Sequence, residues 1–194
     1  MSLNTQFSVN QRAGNQAQVI DCLTLIERSG MDSLIDYLLE SDYFTAPAST
    51  RFHSVSPGGL VQHSLNVTRE FSRENALWQK PIPQDSVIIC GLLHDLCKVG
   101  AYTETSRGYE TVKDFPKGHG KLSVARIEEH IKLTQPEKDI IFFHMGLFGI
   151  FEYREHDTLA IHKAIMRTPL VQVFAAIDMM DSKRKVEESH SRRT

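Results

Sequence analysis

The chain's 194 residues are 41% hydrophobic and 24% charged, which suits one sizeable core and is short for two. With 22 Lys and Arg against 24 Asp and Glu, the formal net charge is −2. No global basic field therefore marks a nucleic-acid binder, and stable duplex-DNA binding is not expected, although a local basic cleft stays open.

The start, Met1-Ser2-Leu3-Asn4-Thr5-Gln6, has no charged leader ahead of an apolar run. Nowhere do about eighteen apolar residues come together, so no membrane span is expected. Cys22, Cys90 and Cys97 form an odd set with no Cys-x-x-Cys pair, which fits buried, reduced thiols in a cytoplasmic protein.

Residues 1–14 are polar and without periodicity and read as a flexible arm. From Asn15 the apolar positions Val19, Cys22, Leu23 and Ile26 recur at helical spacing until Gly30, and Leu34, Ile35, Leu38 and Leu39 repeat the pattern after Asp32 or Ser33. Residues 42–59, punctuated by Pro47, Pro57, Gly58 and Gly59, read as a loop carrying Arg51 and His53. A helix follows with Leu60, Val61, Leu65 and Phe71 as its stripe and His63 at the edge. Pro81 and Pro83 make a turn, Asp85 or Ser86 caps a central helix through Leu96, and Gly100 closes it.

Residues 101–115 alternate about Ser106-Arg107-Gly108 and predict a small β-hairpin, the only strand content expected in an otherwise all-α chain. His119 stands between Gly118 and Gly120 at the entry of a helix with Leu122, Val124, Ile127 and Ile131. Pro136 and Glu137 open another, whose run Ile140-Ile141-Phe142-Phe143-His144-Met145 stops at Gly146. Residues 146–155 form an aromatic connector with Phe148, Phe151 and Tyr153. A helix spans about 158–167, and Pro169 opens the last, where Asp178 interrupts an apolar surface. One domain over 15–182 is expected, with a disordered, mixed-charge tail over 183–194.

The informative stretch is Gly91-Leu92-Leu93-His94-Asp95-Leu96-Cys97-Lys98. An adjacent imidazole and carboxylate in an apolar frame must be compensated. A divalent metal does so with the ligand types that suit zinc, manganese and iron. Lys98, four after His94 and three after Asp95, falls toward the same helical face, near where a phosphate oxygen would sit.

A second pair, His156-Asp157, lies among Glu152, Arg154 and Glu155 and reads as a solvated helix start. Singly, His63 and His144 read as core histidines, and His53 as a surface one. Together, His63, His94-Asp95, His119, His144 and Asp178 set polar groups from separate helices or helix ends against apolar residues or glycine, which is how helical bundles make metal sites.

This ordered set resembles the HD-domain metal-dependent phosphohydrolase superfamily, whose signature is His, then His-Asp, then a distant Asp. Gly58-Gly59-Leu60-Val61-Gln62-His63-Ser64-Leu65, Leu92 to Lys98, Gly118-His119-Gly120 and Ala176-Ile177-Asp178-Met179-Met180-Asp181-Ser182 look like the branch represented by bacterial 3′-to-5′ exoribonuclease HD domains. The likeness covers about residues 44–182.

The resemblance implies an HD-type helical bundle holding two divalent ions. His63, His94, Asp95 and Asp178 would bind the first and Asp95, His119 and His144 the second, with Asp95 bridging. Lys98 would neutralise phosphate charge, and Arg51 and His53 would contact substrate. The chain departs from the pattern at Cys97, where a small residue is usual, and at Met145, where some relatives have a second histidine. The oligonucleotide-binding domain that accompanies the exoribonuclease has no room here.

The expectation is metal-assisted hydrolysis of a phosphate ester, with Asp95 and Lys98 as catalytic groups and a nucleotide, dinucleotide or nucleic-acid end as substrate. Manganese, iron, magnesium, nickel and zinc are not distinguished. The alternative is a regulatory module that binds metal and nucleotide without turnover; a purely structural zinc is a third reading.

Overall fold

The structure, a computed structural model, describes residues 9–50, 55–106, 108–146, 149 and 158–191, with side chains as far as Lys183. Its helices are α1 (Val9–Thr24), α2 (Met31–Glu40), α3 (Gly59–Leu77), α4 (Gln84–Leu93), α5 (His119–Glu128), α6 (Gln135–Phe142), α7 (Thr158–Arg167) and α8 (Leu170–Ser191). A 3-10 turn, Leu96–Lys98, follows α4. Strands β1 (Tyr102–Thr105) and β2 (Gly108–Thr111) pair antiparallel, Tyr102 opposite Thr111 and Thr105 opposite Gly108, as the alternation predicts. Among the described residues no helix is long and apolar enough to cross a membrane, and Cys22, Cys90 and Cys97 are unbridged.

Helix α3 is the axis of the bundle, packed on α4 and α8. Leu60, Val61, Leu65 and Phe71 are buried, as their spacing predicts, and Phe71 meets Phe174 of α8 edge to face at 4.9 Å. Helices α3 and α4 approach so closely at Gly91 that a Cβ there would overlap Thr68. Glycine is required for the backbones to come this near, and that proximity brings His63 and His94 together.

Helices α2 and α4 begin at Met31 and Gln84, ahead of the caps expected at Asp32 or Ser33 and at Asp85 or Ser86, and three further boundaries depart from expectation. Helix α1 begins at Val9, inside the expected 1–14 arm. Its first turns are held by tertiary contacts that periodicity does not reveal: the Gln11 and Asn15 side-chain amides donate to Gln62 Oε1 at 3.4 and 3.1 Å.

Helix α4 stops at Leu93 rather than continuing through Leu96. There the Tyr43 hydroxyl donates to the Leu92 carbonyl at 2.6 Å. Arg126 of α5 donates to the carbonyls of Leu96, Cys97 and Val99 at 2.9, 3.2 and 2.7 Å. Carbonyls that a longer helix would have used are satisfied from outside, and Asp95, at φ −101° and ψ 20°, sits at the break.

Helix α8 runs to Ser191, where the sequence predicted a disordered tail from 183. In that stretch Lys183 and Arg184 precede Glu187 and Glu188 by four, opposite charges at a helical spacing.

Candidate metal centre

Each element delivers its polar residue for a local reason. His63 lies on the buried side of α3, His94 caps α4, and Asp95 occupies the break after it. His144 follows the end of α6 and Asp178 lies on α8. All five are buried, with His63 and His94 0% exposed, His144 1%, Asp95 3% and Asp178 9%.

They meet. His63 Nε2 lies 3.0 Å from Asp178 Oδ1, 3.3 Å from His94 Nε2 and 3.7 Å from Asp95 Oδ2. His94 Nε2 is 3.4 Å from Asp95 Oδ2 and 3.8 Å from Asp178 Oδ1, and His144 Nε2 is 3.5 Å from Asp95 Oδ1. Phe174 closes one side, its ring 5.3 Å from that of His94.

The outer nitrogens fix what the inner ones offer. Nδ1–H of His94 donates to the Gly91 carbonyl at 3.0 Å, and Nδ1–H of His144 to the Ile141 carbonyl at 2.7 Å. Nδ1–H of His63 donates to Asp181 Oδ2 at 2.7 Å, and Asp181 in turn accepts from Asn66 Nδ2 at 2.9 Å. With Nδ1 donating on all three, each ring turns its Nε2 inward toward its neighbours and toward two carboxylates, where a proton or a metal ion can bind.

The buried Nε2 of His144 has no hydrogen-bond partner, which identifies a ligand position more readily than a packing residue. Two imidazole nitrogens about 2.05 Å from a tetrahedral ion stand about 3.3 Å apart, the separation found between His63 and His94. The donor set fits a divalent metal.

The electrostatics agree. Burial alone would lower the basicity of His63, but hydrogen bonds to Asp178 and Asp181 outweigh it and push the imidazole up to about 9. Burial would raise the Asp95 carboxyl, yet Lys98 and His94 hold it well below the usual carboxylate range. Asp178 is likewise held low against burial, chiefly by its hydrogen bond with His63. The carboxylates thus make the imidazoles facing them more basic, and the same negative potential favours a bound cation.

Lys98 does not stand apart as a phosphate contact: its Nζ donates to Asp95 Oδ2 at 2.6 Å. His119, half-buried at the start of α5, reaches the other side of Asp95, where ligand atoms of Asp95, Cys97 and His119 lie within 4.8 Å of one another. Its position rests on the glycines, as their sequence pattern predicts. Gly118 adopts φ +105°, and a Cβ at Gly120 would overlap the Phe142 carbonyl.

Arg51, His53, the aromatics of the 146–155 connector and His156-Asp157 lie outside the described residues. Asp181 is the residue to which sequence reasoning gave no role of its own. It is 11% exposed and orients His63; its signal was the spacing of three from Asp178, which puts both carboxylates on one face of α8.

No family model, curated protein or solved structure matches the chain.

Proposed function

We propose that the protein is a metal-dependent phosphohydrolase on an HD-type bundle, cleaving a phosphomonoester or phosphodiester of a nucleotide or nucleic-acid end. The observation that supports this reading is the convergence of three imidazole Nε2 atoms on Asp95 and Asp178 in the buried interior, with the Nε2 of His144 making no hydrogen bond. The order and spacing of those residues along the chain are the ones the HD resemblance rests on.

His63, His94, Asp95 and Asp178 would hold one divalent ion; by the resemblance Asp95, His119 and His144 would hold a second. Such ions supply Lewis acidity toward phosphoryl oxygens and acidify water. The chain's own residues do the rest. Asp95, kept ionised by Lys98, orients the attacking water by accepting its hydrogen bond. Lys98, held against Asp95 with its side chain 11% exposed, offsets charge that develops on the phosphoryl group. Asp181 holds the His63 ring with its lone pair turned inward, and Phe174 keeps water from the back of the site.

The test is metal analysis of the purified protein together with hydrolysis of bis-p-nitrophenyl phosphate and a nucleotide panel under several divalent metals. Turnover should fall more than about 100-fold in His94→Ala and Asp95→Ala, because even partners outside the ligand shell cost roughly 10–100-fold. Metal and nucleotide bound tightly with no turnover on any substrate would move the reading to a regulatory module. Absence of bound metal would remove it.

A further inference from the structure

Cys97 occupies the position where the resemblance leads one to expect a small residue, and its thiol faces the metal centre. Its Sγ lies 3.5 Å from His119 Nδ1, and both have a ligand atom within 4.8 Å of an Asp95 carboxylate oxygen. For a tetrahedral ion with a metal–sulfur bond of about 2.3 Å and a metal–nitrogen bond of about 2.05 Å, sulfur and nitrogen stand about 3.6 Å apart.

Both groups are pinned to α5. The Cys97 amide donates to Ser123 Oγ at 3.0 Å, and Gly118 and Gly120 fix the backbone on either side of His119. The backbones that carry the two side chains are thus held in place by the fold.

We infer that Cys97 Sγ, His119 Nδ1 and the Asp95 carboxylate form a second, sulfur-containing metal site that takes a thiophilic divalent ion, zinc by class, beside the nitrogen and oxygen site of His63, His94 and Asp178. Thiolate and imidazole select zinc over the oxygen-preferring ions. On binding, the sulfur–metal bond forms as the thiol proton leaves to solvent. The inference rests on the metal-centre reading above and gives its two halves different metal preferences through a shared Asp95.

The experiment titrates cadmium into the metal-stripped full-length protein, reading the thiolate-to-cadmium charge-transfer absorption and the metal content per chain. The band should appear in the wild type, survive in Cys22→Ser with Cys90→Ala, and vanish in Cys97→Ser. In Cys97→Ser the content should also drop by about one ion per chain. His119→Ala should retain the fold and weaken the cadmium affinity of the band roughly tenfold or more, which keeps the inference testable if Cys97→Ser does not fold by circular dichroism.

A band that persists in Cys97→Ser, or that is set by Cys22 or Cys90, overturns the inference. Cadmium bound without any band overturns it while leaving the metal centre standing, and reduces the Cys97–His119 contact to a hydrogen bond. No cadmium or zinc bound at all overturns the metal centre and this site with it.

Discussion

The two ends of α6 hold buried polar groups under opposite regimes. Near its N-terminus the Glu137 carboxylate, with a fully buried side chain, accepts from Arg28 twice at 2.8 Å, from Ser86 at 2.7 Å and from the Thr134 amide at 2.7 Å. Asp139, two residues on, takes Arg167 through two bonds of 2.8 and 2.6 Å, with Thr168 at 2.8 Å. Just past the C-terminus, His144 ends on an unpartnered Nε2. The difference separates a polar network that fastens helices together from one that leaves a buried ring nitrogen without a hydrogen bond, the position the proposed metal would fill.

The largest expected effect breaks the complete network. Glu137→Ala should destabilise the protein by about 3 kcal/mol, because the half-buried Arg28, the Ser86 hydroxyl and the Thr134 amide lose their partner. Chemical denaturation would measure this, and metal bound per folded chain should stay unchanged.

Next comes metal removal, which acts on the other network alone. A chelator should lower the stability of the wild type by about 2.7 kcal/mol, relative to metal at 100-fold its dissociation constant. The shift should be absent in His63→Ala. A chelator effect of equal size in that variant would place the metal elsewhere.

Smaller again, Asp181→Asn should reduce metal affinity roughly 10–100-fold, about 1.4–2.7 kcal/mol, by weakening the hold on the His63 ring without removing a ligand. Calorimetric titration would show it.

The smallest effect is in pH. Burial would raise the Glu137 carboxyl, but Arg28, the Thr134 amide and Ser86 hold it below its ordinary 4.5. The unfolded chain therefore binds this proton first as pH falls. Glu137's contribution is present above about 4.5 and is lost as pH drops through the depressed folded value. The stability gap between wild type and Glu137→Gln should narrow across that acid range and be flat from there to neutrality. A gap that widened toward acid would reverse the assignment.

Asp178 and His144 were legible in the sequence because a charged or polar residue inside an apolar helical run has few ways to be tolerated, and the glycines flanking His119 announced a close approach that Gly120 indeed makes with Phe142. The helix break at His94-Asp95 was not legible. No proline or glycine marks it, since it is imposed by Tyr43 and Arg126, which lie far from it in sequence and capture the released carbonyls. The start of α1 escaped for the same reason, its anchors being amide contacts to Gln62 rather than an apolar stripe.

What the chain determined by itself was its helical content, the single hairpin and the identity of the polar residues that have no business in a core, because periodicity and desolvation cost are properties of local sequence. Only the tertiary structure decided that these residues meet at one point and that Asp181 steers His63. Those facts depend on how closely α3, α4 and α8 approach, and distance between helices is set by packing across the whole bundle.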